Sequence, residues 1–234
     1  MTIEPMAYMH SACPEKFGIP RQSGLASTLL SKIVFEPRYR SREAIRGMEG
    51  FDYLWLIWEF SANRRDGGRD SENKGRTVPL TVRPPRLGGN RYMGVFATRS
   101  PFRPNPLGLS SVMVDHIDYE DNEGPAIWVR GADLMDGTPI YDIKPYISYA
   151  DSHPDARCGY VDTLEERKLE LELSPEAREK LAAFPEADAL LEVLSLDPRP
   201  SYQDDPARVY GLSFRGRNAR FTVKNGVLNL IDLE

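Results

Sequence analysis

Three short stretches of this chain set arginine, lysine or aspartate beside proline or glycine. They are FGIPRQSGL at 17–25, TVRPPRLGGNRYMGVFATRSPFRPNPLGLS at 81–110 and DLMDGTPIYDIKPYISYADSHPDA at 133–156. Proline fixes φ and lowers the entropy of a loop. Glycine lets a ligand or another backbone come close. A loop that is both stiff and charged presents a hydrogen-bonding surface already in its bound shape. One such stretch is adequately explained as a sheet corner with an arginine on its rim. Three in one chain favour a functional surface over barrel corners with arginines on the rim.

Other chemistries are missing their residues. No GxxxxGK followed by Ser or Thr is present, and the glycine pair in LGGNRYMG is not a GxGxxG fingerprint between a strand and a helix. His10 with Cys13, and His153 with Cys158, are isolated pairs without the second half of a ligand set, so no metal is expected. His116 falls in an alternating strand pattern. Ser-His-Asp and Cys-His nucleophile contexts are absent.

The elements that must position these loops are mostly strands. TLLSKIVF, FDYLWLIWEF, GVFATR, LSSVMVDHIDY, AIWVRGADL and PIYDIKPYISY are rich in β-branched and aromatic residues. Turn chemistry separates several of them, DNEG at 121–124 and DGTP at 136–139. A short helix is expected in SREAIRGMEG, capped by Ser41 and ended by Gly47 or Gly50. Many strands with few helices between them favour an antiparallel barrel or sandwich. The polar loop 63–74, NRRDGGRDSENK, reads as a surface excursion or a lid over a site.

Composition changes after about residue 150. SPEAREKLAAFP opens a helix with Ser at the cap and Pro in the first turn, and PEADALLEVLSLDP follows as an amphipathic helix stopped by Pro198. RVYGLSF, ARFTVK and VLNLIDL then read as strands joined by RGRN and by Asn225-Gly226, a hairpin signal. The expected fold is mainly β: an antiparallel β-barrel-like domain at 5–151 and a small α+β domain at 160–234 that leans on it.

With 234 residues, 41% hydrophobic and 28% charged, the chain can bury a real core. No apolar run is long enough to span a bilayer, no signal peptide is evident, and two cysteines make no disulfide framework, so a cytoplasmic protein is expected. The net charge of −5 is uneven. Residues 15–103 hold 17 Lys/Arg and 9 Asp/Glu, a local +8, which leaves −13 for the rest. That basic half is a footprint suited to a polyanion.

FGIPRQSGL, EAIRGMEGFDYLWLIWEF, TVRPPRLGGNRYMGVFATRSPFRPNPLGLS and DLMDGTPIYDIKPYISYAD together resemble the TsaA-like, or TrmO, family of tRNA methyltransferases. The resemblance covers residues 5–151 and continues more weakly through DPRPSYQ into the last strands. It implies an S-adenosylmethionine-dependent enzyme built on a β-barrel. The implied substrate is tRNA at the anticodon loop, methylated on N6 of the threonylcarbamoyladenosine just 3′ of the anticodon. It also implies a homodimer with the cofactor near the subunit boundary. The family's cofactor contacts fall here on Pro20, Arg21, Gln22, Arg99, Leu109, Asp136, Gly137, Thr138 and Pro139. A further contact lies just after the LWLIWEF strand, where the bacterial pattern has histidine and this chain has Ser61 and Ala62.

Roles follow from side-chain chemistry. Arg21 or Arg99 suits the cofactor carboxylate, because a planar fork binds it through two hydrogen bonds. Backbone groups of the DGTP turn suit the adenine edge, and Asp136 a ribose or amino group. Asp142 and Tyr141 are candidates to take the proton from the acceptor nitrogen. Arg83, Arg86, Arg103 and Lys144 would meet the anticodon-loop phosphates or the threonyl carboxylate. Two other functions fit the same loops: methyl transfer to another RNA or a small molecule, and an RNA-binding barrel without catalysis.

Overall fold

The computed structural model describes residues 2–63, 80–87, 91–164, 168–200, 203 and 205–234. Most of the loop 63–74 expected as an excursion or lid lies outside the described residues.

The first part of the chain contributes strands β1 (Ala7–His10), β2 (Leu30–Phe35), β3 (Tyr53–Glu59), β4 (Thr81–Val82), β5 (Met93–Gly94), β6 (Leu107–Asp118), β7 (Ala126–Arg130) and β8 (Pro139–Pro145). Six of them pair antiparallel in the order β1-β2-β7-β6-β3-β8, and β8 pairs back onto β1, so the hydrogen bonding closes on itself. Period-2 alternation decides the inward face. Leu54, Leu56 and Trp58 of β3 are buried with Met9, Ile33, Val112, Ile127, Val129 and Ile140.

The β1–β8 junction is short. It pairs Ala7 with Ile140 and Tyr8 with Pro139. The turn before β8 extends it: Gly137 N–H donates to Met9 O at 2.8 Å, Met9 N–H to Thr138 O at 2.9 Å, and Asp136 N–H to Cys13 O at 2.8 Å. Gly137 has φ +73°, a left-handed value that a side chain would strain.

The expected strand in GVFATR is not formed. Only Met93 and Gly94 pair, with Val82 and Thr81, and Val95–Ala97 is a 3-10 turn. Thr98 explains the difference. Its hydroxyl donates to Val95 O at 2.9 Å and accepts the Ser100 N–H at 3.3 Å, bending the backbone away from a ladder. The helix expected in SREAIRGMEG is two 3-10 turns, Arg42–Ile45 and Met48–Gly50; Ser41 caps the first by accepting the Glu43 N–H at 3.2 Å. Strand β8 stops at Pro145, which lacks a donor N–H, and one helical turn, α1 (Ser148–Asp151), comes next.

The rest of the chain adds β9 (Glu170–Leu173), α2 (Pro175–Ala182), α3 (Ala187–Ser195), β10 (Tyr210–Phe214), β11 (Arg217–Lys224) and β12 (Val227–Leu233). These strands form a second sheet in the order β10-β11-β12-β9, with β9 parallel to β12. The two hairpins turn through consecutive left-handed residues, Arg215-Gly216 and Asn225-Gly226. The edge strand β9, ELEL, carries no strand signal recognised in the sequence: its glutamates alternate with half-buried Leu171 and Leu173 in a segment that otherwise reads as charged connection.

The second core reaches beyond its own sheet. Ala12, Cys13, Ala26 and Leu29, from the segment between β1 and β2, are buried in one cluster with Leu190, Val193, Leu212 and Phe214. Burial pushes the Cys13 thiol up to about 12, against a weaker pull from Arg215, so it packs as a neutral apolar group.

Helix α2 is tied at its start by Ser174, whose hydroxyl accepts the Ala177 N–H at 3.0 Å and donates to Ile231 O at 2.6 Å. Ser174→Ala removes both bonds. It is expected to lower stability by about 1–2 kcal/mol, read as a shift in the denaturation midpoint at unchanged slope.

Candidate functional site

The three charged loops meet at one end of the six-stranded ring, around a cavity of about 800 Å³. That volume is in the range of small-molecule sites. Ile19, Pro20, Arg21 and Gln22 form one wall. The end of β3 and the turn after it, Trp58 to Ala62, form a second. Thr98, Arg99, Arg103 and the start of β6 form a third, and Asp133, Met135 and Thr138 complete the enclosure.

A polar chain runs along the inner surface. The Trp58 indole N–H donates to Ser110 Oγ at 2.9 Å, and the Ser110 hydroxyl donates to Asp133 Oδ1 at 2.6 Å. Burial raises the Asp133 carboxyl above its ordinary value. The Ser110 hydroxyl, its own amide, the Arg99 charge and the Ser23 amide pull the other way without cancelling that effect. Asp133 is therefore a carboxylate that accepts a proton more readily than an exposed one. Glu59, which is buried, accepts a hydrogen bond from the Tyr141 hydroxyl.

The outer rim is held by side-chain hydrogen bonds, most of them to backbone carbonyls. Arg99 donates to Gln22 Oε1, and Gln22 Nε2 donates to Arg21 O at 2.5 Å. Arg21 Nη2 donates to the carbonyls of Asp197 and Arg199, each at 3.3 Å. Arg103 Nη1 donates to Thr98 O at 3.0 Å and so braces its own loop. Apolar groups stand beside these charges: Leu109 is 59% exposed and Phe96 73% exposed.

Of the residues the sequence singles out for a cofactor, Pro20, Arg21, Gln22, Ser61, Ala62, Arg99, Leu109 and Thr138 line the cavity. Asp136, Gly137 and Pro139 share the turn with Thr138 but are not among the lining residues. Asp136 Oδ1 accepts the Ser11 N–H at 3.0 Å and lies 3.8 Å from His10 Nδ1, holding the end of β1. Among the residues expected to face RNA, Arg103 lines the cavity, whereas Arg83, Arg86 and Lys144 do not. The Arg83 guanidinium lies 4.5 Å from the centre of the Tyr92 ring and donates to its hydroxyl. Lys144 pairs with Asp142 at 3.0 Å, and Asp142 is outside the cavity wall too. Tyr141 reaches the wall through Glu59.

Sequence reading passes over Asp133, Glu59 and Trp58. Asp133 is visible as the first residue of DLMDGTP, three before Asp136. Trp58 shares the inward face of Leu54 and Leu56 by simple alternation, so the end of that stripe had to reach the mouth of the ring. Among the described residues, no cluster of three or more His, Cys, Asp or Glu side chains could hold a metal ion.

The donor set suits a molecule with a carboxylate, hydroxyls and an apolar face. Arg21 and Arg99 can bind negative charge, Asp133 and Glu59 can receive donors, and Trp58 and Leu109 can cover a flat ring.

The chain resembles known proteins along almost its whole length. The family model for the tRNA-methyltransferase O N-terminal domain matches residues 8–152, and that for the TrmO C-terminal domain matches 166–234. The chain is 34% identical over 238 residues to a tRNA (adenine(37)-N6)-methyltransferase of Escherichia coli (strain K12), covering 99% of this chain and 97% of that protein. It is 39% identical over 218 residues to a putative S-adenosylmethionine-dependent methyltransferase, RcsF, of Pseudomonas aeruginosa, covering 90% and 87%. The crystal structure of TrmO from Pseudomonas aeruginosa superposes with a TM-score of 0.79 at 28% identity, covering 100% of this chain and 98% of that one.

Gly108 sets how Trp58 sits in the wall. A Cβ there would stand 2.2 Å from Trp58 Cε2, so Gly108→Ala must displace the indole. The expected cost is about 1–3 kcal/mol in chemical denaturation, with a change in tryptophan fluorescence from the lost Ser110 bond.

Proposed function

The chain belongs to the tRNA-methyltransferase O family, and we infer from that membership and from the cavity that it moves a methyl group from S-adenosylmethionine to N6 of an adenosine in tRNA. It is an enzyme of the S-adenosylmethionine-dependent methyltransferase class. The observation that carries the reading is the meeting of three charged loops, far apart in sequence, around one cavity lined by Arg21, Arg99, Arg103 and half-buried Asp133.

We propose that Pro20, Arg21, Gln22, Ser61, Ala62, Arg99, Leu109 and Thr138 hold the cofactor, with Asp136, Gly137 and Pro139 fixing the turn behind them. Bound there, S-adenosylmethionine supplies a methyl group activated by the positive charge on its sulfur. Arg21 and Arg99 bind its carboxylate; Gln22 ties the Arg99 guanidinium to the Arg21 backbone, and the carbonyls of Asp197 and Arg199 hold the Arg21 guanidinium. Trp58 and Leu109 cover apolar surface and exclude water. Positioning of this kind can contribute about 7–11 kcal/mol in a well-oriented site.

The acceptor is the harder half of the reaction. We take it to be N6 of threonylcarbamoyladenosine beside the anticodon, a weakly nucleophilic nitrogen whose proton must leave as the bond to carbon forms. Asp133 receives that proton in this reading, because its raised pKa suits a base better than an exposed carboxylate. The sequence alone points to Asp142 and Tyr141 for that role. Here Tyr141 serves instead through Glu59, and Glu59 is the second candidate because it is buried, lines the cavity and accepts the Tyr141 bond. Arg83, Arg86, Arg103 and Lys144 face the anticodon-loop phosphates, with exposed Phe96 and Phe102 available to stack on unpaired bases.

The closed six-strand ring is taken as the family's β-barrel, and residues 5–151 and 160–234 as its two domains. The exposed apolar lip at Leu109 and Phe96 supports a homodimer whose second copy covers it. Among the described residues no helix is long and apolar enough to cross a membrane. The cytoplasm, where tRNA is modified, is the proposed location.

Nucleoside mass spectrometry of tRNA from cells with and without this protein tests the reaction: the methylated threonylcarbamoyladenosine is expected to vanish on deletion. Undiminished levels would overturn the assignment. Asp133→Asn is expected to lower kcat about 10²–10⁴-fold. The charge of Asp133 costs stability once pH rises through its raised folded pKa, so the same variant should melt no lower than wild type at neutral pH. The acid limb of the wild-type kcat profile should sit above the ordinary carboxylate range, and activity should be lost as pH falls through it. A full-rate Asp133→Asn together with a slow Glu59→Gln would transfer the role to Glu59.

A further inference from the structure

The wall carrying Pro20, Arg21 and Gln22 is fastened largely to the other half of the molecule. It belongs to the segment between β1 and β2, whose residues Ala12, Cys13, Ala26 and Leu29 are buried in the core of the second sheet. Gly18, at φ +94°, lies so close to β10 that a Cβ there would stand 2.1 Å from Leu212 Cδ1.

Polar bonds make the same connection. The Glu192 carboxylate of α3 accepts from the Thr28 N–H at 2.8 Å, the Thr28 hydroxyl at 2.5 Å and the Ser27 hydroxyl at 3.2 Å. Arg215 N–H donates to Ala12 O at 2.9 Å, and its Nη2 to Leu30 O at 3.1 Å. The Arg21 guanidinium is itself held by the carbonyls of Asp197 and Arg199 while it lines the cavity. On the ring side the segment is tied at Gly131, which accepts the Gly24 N–H at 2.8 Å and donates to Leu29 O at 3.0 Å, and at Asp133, which the Ser23 amide faces. Further ring-side ties flank the wall, from Asp136 to Ser11 and Cys13 before it and from Arg99 to Gln22 at its end, while the 17–21 stretch between them rests on β10 and on residues 197–199.

From this we propose that the C-terminal unit, through Glu192, Leu212 and the carbonyls of residues 197 and 199, is a positioning element of the methyl-donor site. It sets the 17–22 loop so that Arg21 meets the donor already ordered, and the entropy of ordering that loop is not lost at each binding event. The inference rests on the reading that residues 20–22 hold the donor. It assigns Glu192 no contact with donor or RNA; Glu192 acts through Ser27 and Thr28, which anchor the far end of the segment that carries the 17–22 loop.

The test uses the full chain. S-adenosylhomocysteine binding is measured by calorimetry, and donor KM, tRNA KM and kcat at saturation by methyl transfer. Glu192→Ala is expected to raise both the probe Kd and the donor KM roughly tenfold, with kcat and tRNA KM held within about twofold. Glu192→Gln, which keeps an acceptor oxygen, should recover part of the loss. Ser174→Ala serves as the stability control, because its bonds run to Ala177 and Ile231 and not to the loop. It should lower the melting temperature without changing the probe Kd. Wild-type probe affinity in Glu192→Ala, or an equal loss of affinity in Ser174→Ala, would overturn the proposal. Arg21→Ala separates the two layers. If it weakens the probe while Glu192→Ala does not, the coupling fails and the site stands. If Arg21→Ala also binds normally, the assignment of residues 20–22 fails and takes the coupling with it.

Discussion

Strands β1 and β8 share only two residue pairs, and the seam is completed by the Met6 N–H, which donates to Ile140 O, and by the hydrogen bonds of the DGTP turn. Asp136, Gly137 and Thr138 each bond to the stretch 9–13, and Asp136 adds a side-chain bond to Ser11. A ring of strands has no free edge once this seam is closed, and an open edge would invite pairing with another chain. The same turn places Thr138 in the cavity wall. Closure of the ring and shape of the cavity therefore depend on one four-residue turn, which requires glycine in a left-handed conformation at its second position. Asp136 is then sufficiently explained as the residue that holds the seam, whatever else it touches.

The polar chain Trp58–Ser110–Asp133 shows how the sheet carries chemistry inward. Trp58 and Ser110 sit on adjacent strands, β3 and β6, and Gly108 clears the space in which the indole lies. Each donor in the chain has an acceptor, so the desolvation cost concentrates on the one group able to relieve it by taking a proton, Asp133. A carboxylate placed this way is expensive to hold in charged form.

Much of this is legible in the residues. Alternation locates β2, β3, β6 and β7, the Ser174 cap and Pro175 locate α2, and Asn225-Gly226 locates the last hairpin, because each of these signals is local and physical. What the sequence conceals is non-local. GVFATR has strand composition, but the Thr98 hydroxyl satisfies the backbone in a turn instead. ELEL at 170–173 gains its strand character from β12, which lies more than fifty residues later. The cavity is foreseen from its stiff, charged loops, which mark themselves by proline and glycine. Asp133 and Glu59 carry no such mark. Their place in the cavity wall comes from burial, and burial is decided by which strands become neighbours. The charges of Arg83 and Lys144 read as free for RNA in the sequence, whereas each has an intramolecular partner in Tyr92 or Asp142 that RNA would have to displace or share.

Leu212 fills the place that a methyl group on Gly18 would need. That contact makes residues 12–29 and the second sheet a single discontinuous module, threaded through the first half of the chain rather than appended after it. Anyone exchanging C-terminal halves between relatives at the obvious joint near residue 160 would cut through this module. A functional chimera requires the 12–29 segment to travel with the distant sheet, and mismatched pairs should survive only where position 18 stays small or position 212 shrinks to admit it.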